Sequence, residues 1–122
     1  MPDVFRLVKS FRYALRGLSL AWRSEQNFRV QVTAAVAVLI LALVLQLSAL
    51  RVVALVLMSV LVLVLELLNT FFEQLIDLLS PRLHHAVAAL KNLLAAAVLV
   101  ASIGSVLIGV IVFLPYLKVL VR

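Results

Sequence analysis

Hydrophobic and polar residues divide the chain into stretches with two different patterns. From Val4 to Trp22 the apolar residues recur at helical spacing: Val4, Val8, Phe11, Leu15, Leu18 and Trp22 fall within an arc of about 80°. Arg6, Lys9, Arg12, Arg16 and Arg23 occupy a separate arc of about 120°. A narrow apolar face, a basic face and one Trp predict an amphipathic helix over 4–24 lying in a membrane interface. The polar run Ser24-Glu25-Gln26-Asn27 breaks this pattern. Beyond it come three long apolar segments, expected at 29–48, 51–79 and 86–118, each long enough to cross a hydrocarbon layer about 30 Å thick.

The connections are legible too. Ser48-Ala49-Leu50-Arg51 is a short turn, which predicts an antiparallel hairpin of the first two spans. Ser80-Pro81 ends the second span, because proline cannot continue the helical ladder. His84 and His85 are expected in the following connection with a plain interfacial role, since adjacent histidines lack the spacing of a metal pair on one helix face. Ala97, Ala101, Ser105 and Gly109 place a small residue at every fourth position of the third span, a stripe that lets helices approach closely in lipid.

Composition fixes the solvent. Of 122 residues, 66% are hydrophobic and 13% charged, and mean hydropathy is +1.27. A soluble domain of this size cannot cover that much apolar surface. The expectation is an all-α integral membrane protein with one membrane domain over 1–122: a surface helix plus three transmembrane helices. Three spans enclose little interior, so a homo-oligomeric bundle completes it. The first apolar span follows a long charged stretch, an order that argues against a cleaved secretory signal. With no cysteine, disulfides, thiolate metal sites and cysteine nucleophiles are excluded.

The net charge of +6 falls on residues that flank the spans, and no base-stacking module accompanies it. Anionic lipid headgroups are therefore the expected partner, and nucleic acid is not. Arg6, Lys9, Arg12, Arg16, Arg23, Arg29, Arg82 and Lys91 lie on one side; Arg51, Lys118 and Arg122 lie on the other. The positive-inside rule then puts the N-terminus and the second connection in the cytoplasm.

The second span carries the chemistry. Glu66, Asn69, Glu73 and Asp77 share an arc of about 80°, forming one polar stripe from the membrane interior to the cytoplasmic end. Each charge near the bilayer centre costs roughly 2.5–3.5 kcal/mol on insertion scales, so the stripe needs a counter-charge, water or a metal ion. A solvated helix end accounts for Asp77 and partly for Glu73, but poorly for Glu66, which directly follows the apolar run. Glu25 and Glu73 can offer Mg²⁺ the hard oxygens it prefers, alongside a substrate phosphate. Lys91 can neutralise phosphate, and Glu66 can accept a proton from a lipid hydroxyl. That set suits phosphoryl transfer at an interface, where positioning and charge neutralisation supply most of the catalysis. No Walker A loop, kinase glycine-rich loop or HExxH motif is present. A small channel or proton-relay subunit would explain the carboxylates, but neither Lys91 nor the basic helix.

The stretch Glu66-Leu67-Leu68-Asn69-Thr70-Phe71-Phe72-Glu73-Gln74-Leu75-Ile76-Asp77 resembles the E-x-x-N-(S/T)-x-x-E-x-x-x-D signature of the small prokaryotic diacylglycerol kinase and undecaprenol kinase family. Phe11 to Gln31, with Gly17-Leu18, Ala21-Trp22 and Glu25-Gln26-Asn27-Phe28-Arg29, is similar to that family's surface helix and its join to the first span. Ser80-Pro81, His84, Lys91 and Ala95-Ala96-Ala97-Val98-Leu99 resemble its third block.

The resemblance implies a homotrimer in the bacterial inner membrane, with sites between subunits, phosphorylating a lipid alcohol with ATP and Mg²⁺. It implies Glu66 as general base, Glu25 and Glu73 as metal ligands, and Asn69 and Lys91 as residues that handle nucleotide phosphates. Asp77 and Asn92 complete the expected nucleotide-binding set. Two positions depart from the pattern. Asn92 stands where the family usually has aspartate, keeping the shape and losing the charge; Phe71 and Phe72 replace smaller or aliphatic residues. The competing expectation is a non-catalytic relative with the same fold, acting as a structural or interaction subunit.

Overall fold

The structure is a computed structural model that describes residues 3–79 and 84–121, apart from the side chains of His84 and His85. The described residues form four α-helices: α1 (Val4–Ser24), α2 (Gln26–Val44), α3 (Ala49–Leu79) and α4 (His84–Val121). Three of them, α2, α3 and α4, are long and apolar enough to cross a membrane. The fold is all-helical with three candidate spans, as the apolar pattern predicts. Ser80, Pro81 and Arg82, where the second connection is expected, lie outside the described residues. Helix α4 begins at His84, so both histidines belong to its first turn and not to the connection.

Helix α1 is capped by Asp3, whose carboxylate accepts the Phe5 N–H at 3.0 Å and satisfies one of the unpaired donors of the first turn. Only Ala21 of this helix is buried; its apolar residues Val4, Phe11 and Leu15 are exposed along with its basic ones.

The α2–α3 turn is tighter and earlier than the polar residues suggest. Gln46 N–H donates to the Leu43 carbonyl and Leu47 N–H to the Ala42 carbonyl, at 3.2 and 3.1 Å. This pair closes the helix end in a Schellman motif. Gln46 takes the left-handed position, φ 54°, which usually falls to glycine. The turn is fixed by packing instead: Leu47 folds back into a buried cluster with Ala42, Leu55 and Val112. At the same end, Arg51 donates to the Tyr116 hydroxyl at 3.0 Å and lies 5.8 Å from its ring centroid, tying the start of α3 to the last turns of α4. Pro115 lies inside that part of α4.

The small-residue stripe of α4 serves two surroundings. Ala101 is buried within the chain, whereas Ser105 and Gly109 line an apolar cavity of about 440 Å³ between α2, α3 and α4. A methyl group at Gly104 would meet Met58 at 3.6 Å; one at Gly109 would meet nothing within 4 Å. Apolar side chains on the outer faces stay uncovered, Leu57 at 63%, Val100 at 69% and Ile111 at 70% exposure. Surface of that kind suits lipid or another helix, not water.

Candidate active site

The site is built at a corner. Helix α1 stops at Ser24, Glu25 is extended (φ −118°, ψ 110°), and α2 starts at Gln26. Three hydrogen bonds hold the corner. Glu25 N–H closes α1 on the Ala21 carbonyl at 2.9 Å, and Arg29 reaches back to donate to the Trp22 and Arg23 carbonyls at 2.7 and 3.2 Å. A guanidinium on the last carbonyls of a helix satisfies free acceptors and complements the negative end of its dipole.

Helix α3 brings the other acids. Glu66 is 1% exposed, the most deeply buried charged residue among those described. Its Oε2 accepts the Gln31 amide from α2 at 3.4 Å, a long bond, while its Oε1 is buried with no hydrogen-bond partner among the described residues. Thr70, one turn on, is buried as well and donates to the Glu66 backbone carbonyl at 3.0 Å.

One further turn out, Glu73 is half-buried and its Oε1 lies 3.7 Å from Lys91 Nζ on α4. Burial pushes the Glu25 carboxyl above its ordinary range, and the charge of Glu73 pushes the same way; Arg29 and Lys91 oppose them. Glu25, Glu73 and Lys91 are therefore close enough to feel one another, although they come from the α1–α2 corner, α3 and α4.

The remaining expected residues are more peripheral. Asn69 is half-buried on the same stripe; Asp77 and Asn92 are exposed, and neither has a side-chain hydrogen bond or ion pair among the described residues. No three acidic or histidine side chains converge among the described residues. The charge of Glu73 acts unfavourably on the Glu25 carboxylate, a repulsion that a cation held by the two would relieve. A two-carboxylate site suits Mg²⁺, which keeps waters and takes phosphate oxygens instead of a full protein cage.

Gln31 is the residue the sequence pattern misses. It is the side chain that contacts the Glu66 carboxylate. The available signal is an amide set between valines near the start of the first span, close to Arg29 and Thr33. Two apolar cavities lie near the stripe, although none of its four residues lines them. One, of about 480 Å³, lies between α1 and α3 beside Thr70 and Phe71; the other, of about 440 Å³, has Gln31 in its wall.

Residues 12–113 match the family model described as prokaryotic diacylglycerol kinase. The chain is 38% identical over 115 residues to an undecaprenol kinase of Bacillus subtilis, covering 94% of each. It is 42% identical over 110 residues to a diacylglycerol kinase of a Synechocystis species, covering 89% of this chain but 63% of that longer relative. It is 31% identical over 102 residues to the diacylglycerol kinase of Escherichia coli, covering 84% of each. With its signature acids drawn together on α3 and at the α1–α2 corner, and with a family match over most of its length, the chain belongs to the prokaryotic diacylglycerol kinase family of membrane lipid kinases.

Proposed function

We propose that this protein transfers the γ-phosphoryl group of ATP to the hydroxyl of a membrane lipid alcohol, undecaprenol or diacylglycerol, at the cytoplasmic face of the bacterial inner membrane. The observation that carries this reading is Glu66: a carboxyl group 1% exposed in an apolar span, with one oxygen unpartnered. Such a group is costly to keep, and the names of the relatives supply the chemistry that would use it.

In this reading the lipid hydroxyl donates its hydrogen bond to Glu66 Oε1. As the hydroxyl oxygen forms its bond to the γ-phosphorus, its proton passes to Glu66 and the bond to the β,γ-bridging oxygen breaks, releasing ADP. Glu25 and Glu73 would hold Mg²⁺, which supplies charge neutralisation on the phosphates. Lys91 shifts from Glu73 toward phosphate oxygens as a point charge, and Asn69, Asp77 and Asn92 border the nucleotide. The apolar cavities beside the stripe suit a hydrocarbon chain. Helix α1 rests on the membrane surface with its basic face toward anionic headgroups, and the uncovered outer faces of the spans meet those of two further copies in a homotrimer.

The test is a transfer assay with radiolabelled ATP and Mg²⁺ on the purified protein, offering each lipid alcohol separately. Labelled phospholipid from either one supports the reading and removes the alternative of a purely structural subunit. No transfer to any lipid alcohol, where a related enzyme is active, overturns it.

A further inference from the structure

The scheme above leaves out the side chain that touches the general base. Gln31 enters from α2, 35 positions away from Glu66 in the chain, and its Nε2 donates to Glu66 Oε2 at 3.4 Å. Its own Oε1 is buried without a partner among the described residues, as is Glu66 Oε1. Two adjoining side chains thus each present an unpartnered acceptor in a place with little access to water. A buried acceptor left unsatisfied is destabilising. Pairing between Gln31 and Glu66 alone cannot satisfy both oxygens while Glu66 is ionised, because the amide's acceptor then faces a group that has only acceptors. What fits such a place is an outside donor, and a hydroxyl is one. Gln31 also lines the apolar cavity between α2, α3 and α4, so a hydrocarbon chain lying there would run up to the amide that contacts Glu66.

We infer that Gln31 is a positioning residue for phosphoryl transfer: its amide N–H holds Glu66 Oε2 and so keeps Glu66 Oε1 turned toward the lipid hydroxyl. This rests on the lipid kinase reading. The amide fixes which carboxylate oxygen is free, and the attacking oxygen is then placed by the other one. A carboxylate anchored through one oxygen loses rotational freedom before the substrate arrives, which is how a residue outside the reacting set can raise the rate. The long 3.4 Å contact is of the kind that shortens when a substrate closes the site.

The experiment uses Gln31→Met, which keeps the length and removes the hydrogen bond, in the full-length protein. The expected result is a kcat for lipid phosphorylation lower by about 10- to 100-fold, the range for losing a hydrogen bond to a charged group. KM for ATP should change less than twofold, because the phosphate-handling residues are untouched, and the melting temperature should hold. Infrared difference spectra against Glu66→Gln isolate the Glu66 carboxyl band, and that band should move in Gln31→Met. A kcat within twofold of the parent overturns the inference, as does a parallel fall in kcat, nucleotide affinity and melting temperature. An unmoved band overturns it as well. If Gln31→Met does not assemble, Gln31→Asn, which keeps the amide and shortens its reach, must show the same loss. Should the parent protein phosphorylate no lipid alcohol, the kinase reading fails by itself, and the infrared band still decides whether Gln31 holds Glu66.

Discussion

Replacing Glu66 by glutamine changes one atom in a carboxyl group that is 1% exposed and held by a single long hydrogen bond from Gln31. The Thr70 contact goes to the Glu66 backbone carbonyl, so it survives the change. In the parent, Gln31 Oε1 and Glu66 Oε1 are both unpartnered acceptors. A new amide at position 66 can donate to Gln31 Oε1 while accepting from Gln31 Nε2, so that the two amides pair reciprocally. Relief of one unsatisfied buried acceptor contributes about 1–3 kcal/mol. Removing a charge from an apolar span acts in the same direction. We therefore expect Glu66→Gln to be more stable than the parent by about 1–3 kcal/mol, while transfer activity falls by about 10²- to 10⁴-fold, the usual contribution of a positioned general base.

Equilibrium unfolding in mixed micelles gives the first quantity, and phosphorylation of a lipid alcohol in the same micelles gives the second. The reasoning requires both signs together. A variant that is less stable by more than about 1 kcal/mol would mean that the acid is paired by something better than Gln31. A variant that keeps a tenth of the activity would mean that the proton leaves by another route.

Three further outcomes follow from the same geometry. Lys91→Met breaks a half-exposed contact of 3.7 Å to Glu73, worth no more than about 1 kcal/mol, so the melting temperature should barely change while KM for ATP rises about tenfold or more in steady-state assays. Gln46→Gly relieves a left-handed backbone position and should raise stability by about 1 kcal/mol in the same unfolding measurement, with no effect on transfer. Glu25 has its folded-state pKa raised, by burial first and by Glu73 second, so the metal-free protein keeps this proton at pH values where the unfolded chain has lost it. Its contribution to stability is therefore lost as pH rises from the ordinary carboxylate range through the raised value. Melting curves of the chelator-treated protein across pH 4–7 should show that decline, and Glu25→Gln should flatten it.

The fold was legible where its cause is local. Apolar runs of membrane length and a charged first helix mark the four helices, because periodicity and hydropathy are properties of neighbouring residues. The α2–α3 turn was displaced from its expected place because long-range packing sets it. Leu47 must fold back on Ala42, Leu55 and Val112, and a glutamine accepts the left-handed corner in consequence. Helix α4 begins at His84 since nothing in His84-His85 breaks a helix, whatever its polarity suggests. The site divides in the same way. The stripe of Glu66, Asn69, Glu73 and Asp77 is visible in one helix wheel, but Gln31 becomes informative only when α2 packs on α3 and sets its amide against one acid.

That packing also grades the stripe. Along α3, Glu66 is 1% exposed, Glu73 is half-buried against Lys91, and Asp77 is exposed, so one helix carries three identical or near-identical carboxyl groups through three surroundings. A carboxylate near water and a lysine can exchange partners at small cost, which is what holding a cation and releasing a charged product require. A carboxylate shut away from water interacts strongly with whatever reaches it, because the medium screens little. The roles proposed for Glu73 and Glu66 follow from that difference in depth and not from any difference in residue type. The distance between them along the helix, about 10 Å at the usual rise per residue, spans from a lipid hydroxyl to the far end of a phosphate chain. In the proposed mechanism one helix thus sorts its own acids into a proton acceptor and a metal ligand, and Glu25 at the α1–α2 corner supplies the second carboxylate.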